Sequence, residues 1–91
     1  IKTFESANTK ALFDGKRVAR FADISSVAVR KLQQLHAATT LDFLRVPSGN
    51  RLEALVGDRA GQHSSRINDQ WRLCFVWLDG HAHDVEIVDY R

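Results

Sequence analysis

The segment WRLCFVWLDGHAHDVEIV, residues 71–88, decides the fold class of this chain. Large apolar side chains occupy every second position from Trp71 to Trp77, which is the period of a β-strand that buries one face. Asp79-Gly80 follows as a turn signal, because both residue types tolerate the positive φ angles of a two-residue hairpin. The alternation resumes at Val85 and Ile87. The segment therefore predicts an antiparallel hairpin with one apolar face.

The same period of two extends towards the N-terminus from this hairpin. Arg51–Leu55 and Gln62–Ile67 are predicted strands, joined by the turn-rich residues 57–61. Asn68-Asp69 is a predicted turn before the next strand. Consecutive strands joined by short turns predict an antiparallel meander. Pro47-Ser48-Gly49-Asn50 is predicted to break the chain just before this sheet.

The first half of the chain has the patterns of helices. Ile1–Phe4 is a candidate short strand, and a short helix is predicted from a cap at Asn8 to about Gly15. Asp23 is predicted to cap a longer helix that runs to about Ala38, and Thr39 or Thr40 to cap one further turn. Apolar residues recur at helical spacing in the longer helix: Ile24, Val27, Ala28, Leu32 and Leu35. The prediction is an α+β fold with helices packed on a twisted antiparallel β-sheet.

Length and composition limit the class of protein. Ninety-one residues allow a single domain, 1–91, with 44% hydrophobic and 26% charged residues, as in soluble globular proteins. No apolar run is long enough for a membrane span, and the N-terminal residues lack a secretory signal pattern. Cys74 is the single cysteine, so no intrachain disulfide forms. We expect a cytoplasmic protein.

The charge is divided unevenly along the chain. Residues 1–45 hold eight basic and four acidic side chains, a net charge of +4, whereas residues 46–91 hold five and seven, a net charge of −2. A basic helical half would hold the backbone of a nucleic acid while a separate site does the chemistry. Ordinary solubilising charge is the alternative interpretation.

Residues 50–77, NRLEALVGDRAGQHSSRINDQWRLCFVW, followed by DVEIVDYR, resemble the HigB-type toxins of the RelE/ParE superfamily. The most specific parts are Gly57-Asp58-Arg59, Asn68-Asp69-Gln70-Trp71-Arg72 and Val88-Asp89-Tyr90. The resemblance implies a RelE-like fold and ribosome-dependent cleavage of mRNA, by attack of a ribose 2′-hydroxyl on the adjacent phosphate. Because cations can stabilise the phosphate charge, no metal and no cofactor are expected. The implied partners are the ribosome, mRNA and a HigA-like antitoxin, a DNA-binding helix-turn-helix protein.

Three residues match the family in the catalytic region. Arg72 matches an arginine that RelE-like toxins place near the scissile phosphate, and its planar guanidinium suits bidentate contact with phosphate. Tyr90 and Asp89 match an Asp-Tyr-His ending. Tyr90 would stack on a base or transfer a proton, and Asp89 would orient a partner or act as an acid–base group. A solvated strand arginine and an aromatic that closes the sheet edge are the structural alternatives.

Other candidate residues are less closely tied to the family pattern. Glu53 stands where some members have histidine and would serve as a base, although an outward strand glutamate is the alternative. His63 is a candidate acid–base group or a structural histidine. Arg59, Arg66 and Arg91 are candidate RNA-binding residues. Arg91 departs from the family, because an arginine in place of the usual histidine cannot shuttle protons.

The sequence is also compatible with functions other than RNA cleavage. The changes at Glu53 and Arg91 are compatible with a toxin of the same fold that does not cleave RNA or that acts on gyrase. An RNA-binding module is a third hypothesis, but the aromatic residues of the third strand have the pattern of a core. His81 and His83 supply too few ligands for a metal site, so none is predicted. Cys74 has no adjacent base in the sequence and is expected to be inert.

Overall fold

The computed structural model describes residues 1–45 and 50–90. Four antiparallel strands form one sheet in the order β1-β2-β3-β4. The strands are β1 Glu53–Ala54, β2 Gln62–Arg66, β3 Trp71–Leu78 and β4 His81–Asp89. The predicted meander is confirmed, although β1 is shorter than the predicted strand Arg51–Leu55. Pro47–Gly49 of the predicted break lie outside the described residues.

The turns of the meander have the predicted chemistry. Asp79 and Gly80 join β3 to β4 with φ angles of 53° and 77°, both in the left-handed region. Before β3, the Asn68 side-chain oxygen accepts hydrogen bonds from the backbone N–H groups of Gln70 (2.9 Å) and Trp71 (2.8 Å). A short polar side chain thus replaces backbone partners in the turn.

The helical half contains two α-helices, α1 Ala7–Phe13 and α2 Ser25–Ala37. Helix α1 confirms the first predicted helix, but its cap is Ser6 and not Asn8: the Ser6 hydroxyl accepts a hydrogen bond from Thr9 N at 3.3 Å. The predicted further turn is a 3₁₀ helix, Leu41–Arg45, and Thr40 Oγ1 accepts a hydrogen bond from Phe43 N at 3.3 Å.

The prediction that Asp23 caps the long helix is wrong. Residues Ala19–Ile24 form a 3₁₀ helix with a kink at Phe21 (φ −105°, ψ 16°), and α2 begins only at Ser25. Phe21 and Ile24 are both buried, whereas Asp23 is exposed. The tight, kinked turn places these two apolar side chains in the core, and this burial outweighs the gain from a cap at Asp23.

The N-terminal residues pair with the outer edge of β4 without forming the predicted strand. Phe4 and Val85 form one parallel bridge, with hydrogen bonds from Lys2 N to Ala82 O (2.8 Å) and from Glu5 N to Val85 O (3.0 Å). Strand β4 carries an extra residue opposite β3, and Asp84 within it has a φ of 52°. This bulge interrupts the regular edge that a full strand would need.

One face of the sheet packs against both helices. The buried core joins Leu12 of α1, residues of α2 and alternate residues of β3 and β4. Its largest fully buried members are Phe21, Leu32, Leu35, Leu73, Phe75 and Val85. The predicted core position of the β3 aromatics is confirmed, since Trp71 and Phe75 are buried and Trp77 packs against the core. None of the helices in the described ranges combines the length and apolar character that a membrane crossing requires.

The opposite face of the sheet carries polar side chains and is called the open face below. Two cross-strand rows define it: Glu53, Ser64, Cys74 and Glu86 are neighbours in one row, and Arg66 and Arg72 in the next. These rows alternate with the row of Ser65, Leu73 and Ile87 on the helix side. The period of two in β3 thus separates the core from the open face.

Candidate functional site

Arg72 lies on the open face. The sequence predicted this side, because Arg72 lies between the alternating apolar residues of β3. Its side chain is only 14% exposed. The Nη2 atom donates hydrogen bonds to Ser64 Oγ (2.7 Å) and to the Arg51 carbonyl oxygen (3.1 Å), and it lies 3.8 Å from Glu53 Oε2. The Nε atom is buried and has no hydrogen-bond partner among the described residues. The guanidinium is therefore held through one of its nitrogen atoms.

Tyr90 covers Arg72 from the end of β4. Its ring centroid is 5.6 Å from Arg72 Cζ, a cation–π distance, and its backbone N donates a hydrogen bond to Gln70 O at 2.7 Å. Tyr90 is half-exposed. Desolvation raises the pKa of Tyr90 above its ordinary value of 10.0. The hydroxyl group is therefore protonated at neutral pH and can donate a hydrogen bond or a proton.

Cys74 lies beneath Tyr90 on the same face. Its Sγ atom is 4.0 Å from Tyr90 Oη, and the residue is buried. Burial is the largest cause that raises the pKa of the Cys74 thiol above its ordinary value of 9.0. A protonated, buried thiol is a poor nucleophile, which supports the expected inert role.

Two further arginines reach the open face, and each is paired with a carboxylate. Arg59 follows β1, and its Nη1 atom donates a hydrogen bond to Gln62 Oε1 (3.0 Å) and lies 3.6 Å from Glu86 Oε1. Arg66, at the end of β2, forms an ion pair with Asp69. The structure thus brings together Arg59, Arg66, Arg72, Glu53 and Tyr90 from the predicted set.

A sequence model of the HigB-like toxins, described as RelE-like toxins of the type II toxin–antitoxin system HigB, matches residues 3–91. The chain belongs to this family. Toxin HigB-1 of Vibrio cholerae serotype O1 is 46% identical over 61 residues, which are 67% of this chain and 64% of that relative. The aligned part is thus less than two thirds of the relative's length. The helices on a four-stranded antiparallel sheet are the α+β arrangement expected of a RelE-like toxin.

Two candidates in this HigB-like chain lie away from Arg72. His63 is the cross-strand neighbour of Phe75 on the helix side, with ring centroids 6.1 Å apart and planes 23° from parallel. Its Nδ1 atom is buried without a hydrogen-bond partner among the described residues. Asp89 is the cross-strand neighbour of Trp71, and its Oδ2 atom accepts a hydrogen bond from Gln70 Nε2 at 3.1 Å. Neither placement supports direct action beside Arg72.

The two histidines of strand β4 also lie away from Arg72. His83 is opposite Val76, four residues along β3 from Arg72, and His81 is opposite Leu78. Among residues 1–45 and 50–90, no three His, Cys, Asp or Glu side chains form a group able to hold a metal ion. Arg91 lies outside the described residues, so its predicted RNA contact stays a prediction.

Sequence reasoning missed three residues that contribute contacts in or next to the candidate site. Ser64 is fully buried and accepts a hydrogen bond from Arg72, and Glu86 pairs with Arg59. Asn50, predicted as part of the break before the sheet, is 1% exposed. Ser64 is two residues from Arg66 in the predicted strand, so the sequence could have placed both side chains on the same face of the sheet. The contact of Asn50 had no local signal, because its partners lie 6 and 19 residues away.

Proposed function

We propose that this HigB-like toxin is a metal-independent endoribonuclease that cleaves ribosome-bound mRNA on its open face. The observation that carries the proposal is the fixed guanidinium of Arg72. Its described polar contacts all involve Nη2 and its Nε atom is buried, so the N–H donors of Nη1 are the ones available for phosphate oxygens. Family membership supports the reaction, since the sequence matches RelE-like toxins over nearly the whole chain.

The proposed reaction needs a base, a charge stabiliser and an acid, and the open face offers one group for each. The Glu53 carboxylate is 58% exposed and accepts the proton of the ribose 2′-hydroxyl. The 2′-oxygen then forms a bond to phosphorus while the bond to the 5′-oxygen breaks. Arg72 stabilises the negative charge on the phosphate, and the Tyr90 hydroxyl donates a proton to the leaving 5′-oxygen. The products are a 2′,3′-cyclic phosphate and a 5′-hydroxyl.

The proposed partners follow from family membership. A HigA-like antitoxin with a DNA-binding helix-turn-helix neutralises the toxin, and the ribosome presents the mRNA. The site of action is the cytoplasm, where translating ribosomes are found.

One observation favours a second candidate, a toxin of this fold that does not cleave RNA or that acts on gyrase. No histidine in the described part of the chain lies beside Arg72, and Arg59, Arg66 and Arg72 each face a carboxylate. Such a surface would bind a partner through exchange of ion pairs without any proton transfer.

The experiment that separates the two candidates removes the Arg72 charge. Arg72→Ala should lower the cleavage rate of ribosome-bound message about 100-fold or more, because it removes the main electrostatic stabiliser. Arg72→Lys should recover only part of the rate, since a point charge lacks the planar fork. Primer extension measures cleavage, and growth arrest after induction measures toxicity. Arg30→Ala on the exposed surface of α2 is the matched control.

Circular dichroism and thermal melting confirm that each variant is folded. Wild-type cleavage by folded Arg72→Ala would show that Arg72 lacks the proposed role. Growth arrest without any cleavage by the wild-type protein would instead favour the second candidate.

A further inference from the structure

Asn50 is a buried polar residue whose role the proposed reaction does not include. Both ends of its amide have partners from the helical half of the chain. The Oδ1 atom accepts a hydrogen bond from Lys31 Nζ on α2, and the Nδ2 atom donates one to the Leu44 carbonyl oxygen at 3.1 Å. With 1% of its surface exposed, Asn50 cannot replace these bonds with water. Its side chain therefore fixes the chain where it enters the sheet.

The next residue, Arg51, has an unusual backbone conformation. Its φ angle is 44°, in the left-handed region that non-glycine residues seldom adopt. Such a conformation persists only when the surrounding contacts hold it in place. Asn50 supplies such contacts immediately before it.

The carbonyl group of Arg51 connects this backbone to the candidate site. Its oxygen accepts a hydrogen bond from Arg72 Nη2 at 3.1 Å, while Ser64 Oγ holds the same nitrogen from β2 at 2.7 Å. The direction of the Arg51 carbonyl therefore helps to set the plane of the guanidinium. A rotation of this peptide would remove the hydrogen bond from Arg72 to the Arg51 carbonyl oxygen. Ser64 would still hold Nη2, but the guanidinium could turn about that contact.

We propose that Asn50 and Lys31 form a positioning pair that orients Arg72 through the Arg51 carbonyl group. The pair joins helix α2 to the open face, so the helical half takes part in building the site. Asn50 is a positioning residue and not a catalytic one, because its amide bonds to Lys31 and Leu44 and not to groups of the open face. The inference rests on the proposed function only in treating Arg72 as the group that contacts phosphate.

The expected effect is on the rate of the chemical step more than on RNA binding. Arg59 and Arg66 are held by contacts of their own, which do not involve Asn50. Misplacement of a reacting group by about 1 Å can reduce the rate by about 100-fold. We expect Lys31→Met and Asn50→Ala to lower kcat by about 10-fold to 100-fold, with KM changed less than about 3-fold on the same argument.

The experiment combines kinetics with a direct observation of Arg72. In ¹⁵N-labelled protein, the Nε–H group of Arg72 gives a side-chain signal that is assigned by its loss in Arg72→Lys. Its burial in the wild-type protein should make this proton exchange slowly with water. Lys31→Met and Asn50→Ala should shift this signal and speed its exchange at least about 10-fold, whereas Lys31→Arg, which keeps a donor for Asn50, should restore most of the slow exchange.

The control is Arg30→Met, which removes one positive charge from the exposed side of the same helix and should change neither readout. Lys31→Met keeps Asn50 in place, so it remains informative if Asn50→Ala does not fold. An unchanged Nε–H signal in folded Lys31→Met would overturn the positioning role, even if the protein cleaves RNA. If the wild-type protein cleaves no RNA but the Nε–H signal shifts in Lys31→Met, the positioning role is supported and the proposed function alone is rejected.

Discussion

Arg72 brings a positive charge into surroundings that leave only 14% of its side chain exposed. A charge removed from water needs partners, and three oxygens lie around its Nη2 atom: Arg51 O, Ser64 Oγ and Glu53 Oε2. Two of these are neutral, so they orient the guanidinium without cancelling its charge. Glu53 is the exposed partner and the one that an incoming phosphate can displace. Arg51 and Ser64 thus hold the guanidinium in place, while its contact with Glu53 can be exchanged for a contact with phosphate.

Tyr90 allows stacking and proton transfer to be separated. Tyr90→Phe keeps the ring over Arg72 but removes the hydroxyl group. If this group protonates the leaving 5′-oxygen, kcat should fall by about 100-fold to 10,000-fold, with little change in KM. A substrate with a 5′-bridging sulfur has a leaving group that needs no proton. Rapid-quench measurements should therefore show wild-type cleavage of that substrate by Tyr90→Phe, and a defect on both substrates would assign the hydroxyl another role.

Cys74 should give the stability of the folded chain a defined pH dependence. Burial raises the pKa of its thiol above 9.0 in the folded state, so the folded protein holds this proton more tightly than the unfolded chain. The resulting stability is fully present below pH 9.0 and is lost as the pH rises through the folded pKa. Tyr90, whose pKa is raised above 10.0, acts in the same direction at higher pH.

Urea denaturation between pH 7 and pH 10.5 measures this dependence. The free energy of unfolding should decrease above about pH 9, and Cys74→Ala should reduce the slope in that range. Equal slopes in Cys74→Ala and the wild-type protein would mean that the thiol titrates alike in both states.

At the scale of the elements, two threonines hold strand β4 through its backbone. Thr9 Oγ1 on α1 accepts a hydrogen bond from Ile87 N at 3.0 Å in the core, and Thr3 Oγ1 accepts one from Asp84 N at 2.8 Å at an exposed position. Thr9→Val should cost about 1–3 kcal/mol of unfolding free energy, because it leaves a buried N–H group without an acceptor. Thr3→Val is the matched control and should cost less than about 0.5 kcal/mol, since water can replace its hydroxyl. Equal losses in thermal melts would contradict this argument from burial.

Strand β3 shows how much of the fold could be predicted from the sequence. Its alternating apolar residues fixed which side faces the helices, and therefore placed Arg72 on the open face. The start of α2 was mispredicted because the cap signal of Asp23 is local, whereas the burial of Phe21 depends on the core. The sequence left an acid–base role and a structural role open for His63, because its register opposite Phe75 is not visible in the sequence. The positioning contacts around Arg51 join segments that are distant in the sequence, so no local pattern indicated them.

At the scale of the whole molecule, the excess positive charge and the arginines of the candidate site lie in different halves of the chain. The helical half has a net charge of +4, yet the arginines that surround the candidate site belong to the sheet half, with a net charge of −2. There Arg59, Arg66 and Arg72 face the carboxylates of Glu86, Asp69 and Glu53. RNA bound on the open face, as proposed, would have to displace these ion pairs, which contribute little stability where they are exposed. We therefore infer that binding is governed by these three arginines and not by the net charge of the helices.

The salt dependence of RNA binding tests this inference. For a single strand that contacts three cations, the logarithm of the association constant should fall with the logarithm of salt concentration with a slope of about −2. The double variant Arg59→Gln, Arg66→Gln should reduce the magnitude of this slope by about 1.4. Lys16→Gln, Arg17→Gln, which removes two exposed charges between α1 and α2, should leave it unchanged. Fluorescence anisotropy with a labelled oligonucleotide, 2′-deoxy at the scissile position, measures binding without cleavage. If the slope becomes smaller in magnitude in Lys16→Gln, Arg17→Gln and not in Arg59→Gln, Arg66→Gln, the helical half of the chain binds the RNA backbone. The open face would then contribute only to the chemical step.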